Sequence, residues 1–170
     1  MAIEVTPYRT PSIRVFSYGL DLDLSLLHTI LGGPKPSCGG PSRLFDCRRN
    51  FAVSGHLPGL EPHPGASVAG AITLLTSGQL QRMDGWLVGY QRHRLVLAAQ
   101  GGRERLVWYY APSSLWKGPG RPSLATLTTI LRGVADRGLS DPSPQHLAHW
   151  RPNDRTLLDQ AIEKNLVFSA

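Results

Sequence analysis

Few side chains in this 170-residue sequence stand at spacings that support chemistry. His56 and His63 lie seven apart in a Pro/Gly-rich stretch. No thiol or carboxylate accompanies them at ligand spacing, so no metal site is expected. His146 and His149 sit one turn apart on a short helical stretch, and a solvated helix face accounts for them. Cys38 and Cys47 form no CxxC and have no second pair, which predicts two free thiols in a reducing compartment. There is no Ser/His/Asp arrangement, no phosphate loop and no dinucleotide fingerprint. Isolated carboxylates remain as acid–base candidates, and Glu61, in a long loop, is one. Arg92 and Arg94, with Arg103 and Arg105 across a hairpin, form the other distinctive set. Paired in register near Trp108 and Tyr109, they would make a four-Arg stripe for RNA, DNA or an acidic protein. A solvated outer sheet face is the favoured reading of the same residues.

Composition narrows the classes further. The 18 basic residues outweigh the 12 acidic ones, for a net charge of +6. Only Lys35, Lys117 and Lys164 are lysines, and the Arg bias can reflect base composition as well as a polyanion partner. Nucleic acid is thus an open but unfavoured partner. No run of 18 apolar residues exists, which predicts no membrane helix. The start, Met1 to Val5, lacks a leader pattern, and the end, Phe168-Ser169-Ala170, lacks a lipidation box. A cytoplasmic location is the expectation. With 18 glycines and 14 prolines, short elements and many turns are expected, and a coiled coil is excluded.

The elements that would position these groups follow from local pattern. Residues 1–12 read as an irregular lead-in. Ile13 to Tyr18 is a β-branched and aromatic run, hence a strand, stopped at Gly19, which reads as a positive-φ turn residue. Leu22, Leu26, Leu27 and Ile30 recur at helical spacing behind Asp21 and Asp23, and Gly32-Gly33-Pro34 ends that helix. Residues 33–42 read as a loop. Leu44 to Ser54 reads as a strand pair or one bent strand, with a break at Arg48-Arg49-Asn50, and 55–66 as a second long loop. Ser67 to Leu75 is a strand in which Gly70 allows close backbone approach. Thr76-Ser77-Gly78-Gln79 fits a capping box before a short helix through Leu80 and Met83. Tyr90 to Ala99 and Arg103 to Tyr110 make a hairpin, and 111–122 a loop. Leu124, Leu127, Ile130, Leu131 and Val134 mark an amphipathic helix ending at Gly138. A short helix from Ser143-Pro144 through His149 and a helical stretch over 154–166 follow. The class is α+β.

Four stretches in order resemble the gamma-glutamylcyclotransferase-like (AIG2-like) family. Val15-Phe16-Ser17-Tyr18-Gly19-Leu20-Asp21-Leu22 resembles its F-x-Y-G-S-N-L strand and loop. Gly59 to Ala71 resembles its P-x-P-G-x-x-V-x-G-x segment, and Asp84-Gly85 through Gly89-Tyr90-Gln91-Arg92 its E-G-x-x-x-G-Y-x-R. Leu131 to Leu139 resembles its closing helix. The resemblance implies a small mixed β-barrel flanked by helices over 13–150, with 151–170 a C-terminal helical extension. It also implies cleavage of a gamma-glutamyl amide, without metal or cofactor. A carboxylate takes a proton from the substrate's own α-amine, which attacks the γ-carbonyl to release 5-oxoproline, and backbone amides of the Tyr-Gly loop hold the glutamyl carboxylate. A five-membered closure of this kind has high effective molarity once the chain is bent back.

On that pattern Asp84 is the base, and Tyr18, Gly19, Leu20, Asp21 and Tyr90 bind a small gamma-glutamyl substrate. The sequence departs from the family where it matters. Leu80-Gln81-Arg82-Met83-Asp84-Gly85 is three residues shorter than the family's segment. Two alignments compete: Asp84 takes the place of the family's Glu, or it matches a preceding Asp and Leu87 falls at the base. The register of Gly85, Gly89, Tyr90 and Arg92 favours the first. Leu20 stands where Ser or Thr is usual, and Asp21 where Asn is common; a carboxylate there is unfavourable for an anionic ligand unless it points away. The alternative is a catalytically inactive member of the fold that binds a partner, through its cavity or the Arg-rich hairpin.

Overall fold

The computed structural model describes residues 12–51, 58–98, 103–113 and 124–139. Five strands and three helices run in the order β1 (Ile13–Ser17), α1 (Leu24–Leu31), β2 (Ser37–Phe51), β3 (Pro58–Leu75), α2 (Ser77–Trp86), β4 (Tyr90–Ala98), β5 (Glu104–Pro112) and α3 (Leu124–Asp136). The strands form one mixed sheet in the order β2-β3-β1-β5-β4. β1 is central, antiparallel to β3 and parallel to β5, and its Val15, Phe16 and Ser17 are all buried. A central strand covered on both faces reads as a continuous apolar run. The class is α+β as expected, but the expected barrel is not closed: β2 and β4 are the two edges. The sheet curls instead. Leu97 of β4 and Cys47 of β2 meet in one cluster with Phe16, Tyr18, Val68, Ile72 and Val107. Side chains from both edges thus pack together without a ladder joining them.

The largest difference from the sequence reading is the hairpin of β2 and β3. Residues 37–42 and 58–66 are strand, not loop, and pair from Ser37↔Leu74 to Phe51↔Pro58. Turn-forming residues are tolerated there for a geometric reason. β1 pairs only with residues 71–75 of β3, so among the described residues the 58–66 stretch has β2 as its one ladder partner. Prolines on such a half-open stretch can direct their missing N–H away from the ladder. The irregularities fall between Cys38 and Gly40 and between Phe45 and Cys47, where Asp46 has φ 56°, and not at Arg48-Arg49-Asn50. Glu61 consequently lies on a strand, bonded to Arg48 and Asn50, and has a structural role.

The helices obey their local signals. The Asp23 carboxylate caps α1, accepting from the Ser25 and Leu26 N–H groups at 3.0 and 3.1 Å. Thr76 and Gln79 make the reciprocal capping box of α2. The Gln79 amide also donates to the Pro34 carbonyl at 2.7 Å, tying the start of α2 to the end of α1. Leu27, Leu31, Leu80, Met83 and Leu87 cover Val15, Leu75 and Tyr110 on one face of the sheet. Ile130 of α3 packs with Leu22, Phe51 and Ala71. No helix among the described residues is long and apolar enough to cross a membrane. Cys38 and Cys47 are free thiols, the first exposed and the second buried. Residues 1–11, 52–57 with His56, 99–102, 114–123 and 140–170 lie outside the described residues, and with them most of the expected lead-in and of the expected 111–122 loop and both expected late helices.

Two positions test this packing. A Cβ on Gly70 would lie 2.5 Å from the Phe16 ring and from the Ser17 carbonyl. Gly70→Ala should therefore cost about 2–3 kcal/mol by overpacking against the central strand, read by denaturant unfolding. Asp23 is wholly buried and pairs with Arg132 as well as capping α1. Asp23→Ala should cost about 2–4 kcal/mol, because the lost cap adds to the loss of a buried ion-pair partner.

Candidate functional site

A small, half-open cleft lies where the loop after β1 meets the start of β3, the end of α2, the start of β4 and the end of β5. Its lining is Tyr18, Gly19, Leu20, Asp21, Pro58, Trp86, Leu87, Tyr90 and Tyr110. The five residues assigned by sequence to substrate binding are therefore brought together there. Asp84 is not in the lining. It stands on the last turn of α2, accepting a hydrogen bond from the Tyr110 hydroxyl at 2.8 Å and pairing with Arg92 Nε at 3.0 Å. The wall residue Tyr110 thus separates the Asp84 carboxylate from the cleft.

The loop is held from outside the cleft. Arg49, 4% exposed, donates to the Tyr18 carbonyl and to the Ala69 carbonyl, both at 2.6 Å. Arg137 donates to the carbonyls of Leu22 at 2.8 Å and Asp21 at 3.2 Å. The Tyr18 hydroxyl donates to the Tyr110 carbonyl, joining the ends of the parallel pair β1 and β5. Gly19 is not in the left-handed region, contrary to the turn expected there; its φ is −125°. Glycine is required by proximity, since a Cβ would lie 2.7 Å from Pro58.

Asp21 does not point away. It lines the cleft, and its Oδ1 accepts the Gly19 N–H at 2.9 Å. A backbone donor expected to meet a ligand's carboxylate is thus taken by the chain's own carboxylate. Burial pushes the Asp21 carboxyl up from its ordinary value, and the Gly19 N–H, the Ser17 hydroxyl and the Arg137 charge only partly offset this. Burial likewise raises Tyr18 well above the ordinary phenol range, with the Asp21 charge adding to it. Tyr90 is pushed up to about 12 by burial. Tyr110 is raised further, by burial first and then by its bond to Asp84. All three phenols are neutral donors at physiological pH.

The four arginines do not form one stripe. In the β4–β5 register Arg92 faces Tyr110 and Arg94 faces Trp108, whereas Arg105 faces Leu97. Alternation along a strand then puts Arg92 and Arg94 on one face and Arg105 on the other. Both Arg92 and Arg94 stack over Trp108, at 5.4 and 5.0 Å from the ring centroid. Arg92 is committed to Asp84 besides. His63 is exposed on β3 and Glu61 is engaged with Arg48, so neither belongs to the cleft. Pro58, Trp86 and Tyr110, with the positioning residue Arg49, were missed by sequence reasoning, and Leu87 entered it only through the second alignment. Trp86 and Leu87 lie inside the Asp84–Arg92 motif, which was the available signal for them.

Comparison with solved structures decides the fold. A structure described as gamma-glutamyl cyclotransferase superposes with a TM-score of 0.69, covering 91% of this chain and 99% of its own at 20% identity. The chain has the gamma-glutamylcyclotransferase-like fold. An uncharacterized protein from Homo sapiens matches at TM-score 0.70 and 22% identity, over 88% of this chain and 98% of its own. A solution structure from Arabidopsis thaliana matches at 0.53 and 18%, over 91% and 85%. No family model and no curated relative matches the sequence. Within this fold, the cleft occupies the loop after β1 that carries the Tyr18-Gly19 motif.

The raised carboxyl of Asp21 has a consequence for stability. The folded state binds this proton more tightly than the unfolded chain, so stability falls as pH rises from the ordinary carboxyl value through the raised one. Asp21→Asn keeps an acceptor for Gly19 N–H and removes the charge. Its melting temperature should exceed that of the wild type at pH 7, and the gap should shrink toward pH 4. An equal gap at both pH values would show that the buried charge is not the cause.

Proposed function

We propose that the protein cleaves a gamma-glutamyl amide by intramolecular cyclisation, releasing 5-oxoproline and an amine. The single observation that carries this reading is Tyr110, a residue of the cleft wall whose hydroxyl donates at 2.8 Å to Asp84. Tyr110 can accept a proton from the substrate's α-amine as it passes its own to Asp84. The amine nitrogen bonds to the γ-carbonyl carbon, the amide C–N bond breaks, and the leaving nitrogen takes up the proton. Asp84 is one methylene shorter than the family's Glu, and the phenol of Tyr110 spans that gap. Arg92, stacked on Trp108, pairs with the Asp84 carboxylate and fixes its orientation. The two free thiols accord with a cytoplasmic setting. A second reading, a non-catalytic binder, is favoured by one feature: Asp84 is outside the lining and already paired.

Purified protein should release 5-oxoproline from at least one member of a panel of gamma-glutamyl dipeptides and gamma-glutamyl amines. Asp84→Asn and Tyr110→Phe should each lower kcat about 10²-fold, the scale of a positioned proton-transfer group, while the fold persists by circular dichroism. A panel with no 5-oxoproline above blank selects the binding reading. Full activity in Asp84→Asn removes Asp84 from the mechanism.

A further inference from the structure

We infer that the cleft recognises a ligand's ammonium group, held by the Asp21 carboxylate inside a box of Tyr18, Trp86, Tyr90 and Tyr110. The inference deepens the proposed reading and rests on its choice of this cleft as the substrate site. Three observations carry it. The first is the Gly19 N–H, which a ligand's carboxylate would need and which Asp21 Oδ1 already holds at 2.9 Å. An incoming carboxylate would meet a like charge at that point. The second is that Asp21 takes part in none of the ion pairs found among the described residues, whereas Asp23, Glu61 and Asp84 each have a guanidinium. Arg137, the nearest source of positive charge to influence Asp21, spends its N–H groups on the Leu22 and Asp21 carbonyls, on Thr73 and on Cys38. The third is the wall itself: one carboxylate and four aromatic rings in a lining otherwise of Leu, Pro and Gly. Aromatic rings attract cations at their faces, and the Tyr18 and Tyr110 hydroxyls are already spent on the Tyr110 carbonyl and on Asp84.

The buried charge then has a purpose. A carboxylate reluctant to ionise in the empty cleft gains its counter-charge when an ammonium enters. For a gamma-glutamyl amide this puts the α-ammonium, not the α-carboxylate, against the loop after β1. Transfer of one ammonium proton to Asp21 frees the α-amine at the wall that Tyr110 forms, where the proposed proton transfer needs it.

The test is a tryptophan-fluorescence titration of the full chain with n-butylammonium chloride and with sodium butyrate at constant ionic strength. The 5-oxoproline assay is run in parallel. Butylammonium should give a saturable response that Trp86→Phe abolishes, and butyrate should give none. Asp21→Asn should weaken the amine about tenfold or more, the scale of a lost charge-assisted contact. Tyr90→Leu, which removes one ring and leaves Asp21, should weaken it about two- to fivefold. Butyrate binding in preference to the amine, no saturable response to the amine, or equal amine affinity in wild type and Asp21→Asn would each overturn the inference. Amine binding with no 5-oxoproline release removes the proposed reaction and leaves the ammonium site. Release of 5-oxoproline with butyrate preferred does the reverse.

Discussion

The carboxylate of Asp23 has no exposed surface, and two parts of the molecule converge on it. It caps α1 through two N–H groups and accepts from Arg132 Nε of α3 at 2.7 Å. Removing such a group from water is costly, and only several charge-assisted and backbone bonds together offset the cost. The same α3 brings Gly133 so near Leu22 that a Cβ there would lie 2.5 Å away. Arg137 then covers the carbonyls of Asp21 and Leu22, and Arg49 that of Tyr18. Backbone acceptors of the loop are consumed from behind, and the Tyr18, Leu20 and Asp21 residues are left to line the cleft.

Two aspartates two residues apart thus have opposite circumstances. Asp23 has a guanidinium in direct contact and a helix terminus, while Asp21 has the Gly19 N–H, the Ser17 hydroxyl and only the more distant charge of Arg137. Asp84 is a third case, partly exposed and shared between a phenol and a guanidinium. Environment, not residue type, separates a structural cap, a carboxyl with raised proton affinity and a hydrogen-bond acceptor behind the wall.

Much of the fold was legible where a signal is local. β1, the Asp23 cap, the capping box at Thr76, the β4–β5 hairpin and the helix over α3 rest on neighbours within a few residues. The close approach at Gly70 was legible too. The β2–β3 hairpin was not, because Gly and Pro obscure strand pattern unless the half-open environment of that stretch is known. Sheet closure depends on how strongly the strands curl, and the Arg stripe on cross-strand parity; neither is written in spacing along the chain. The motif residues Tyr18 to Asp21 and Tyr90 were legible as a set by resemblance, and the fold brings them to one cleft. Tyr110 and Pro58 could not be found, since each enters the cleft through a strand register far from the motifs.

The prolines of β3 carry one more implication. Pro58, Pro62 and Pro64 lie in the stretch whose only ladder partner among the described residues is β2. A strand bonded along one side presents a template on which another chain can extend the sheet. Proline has no N–H to donate and its ring obstructs an arriving backbone. The three rings therefore guard the long hairpin against intermolecular sheet growth, and a chain carrying Val or Thr at Pro62 and Pro64 would keep the cleft lining and lose its protection from aggregation.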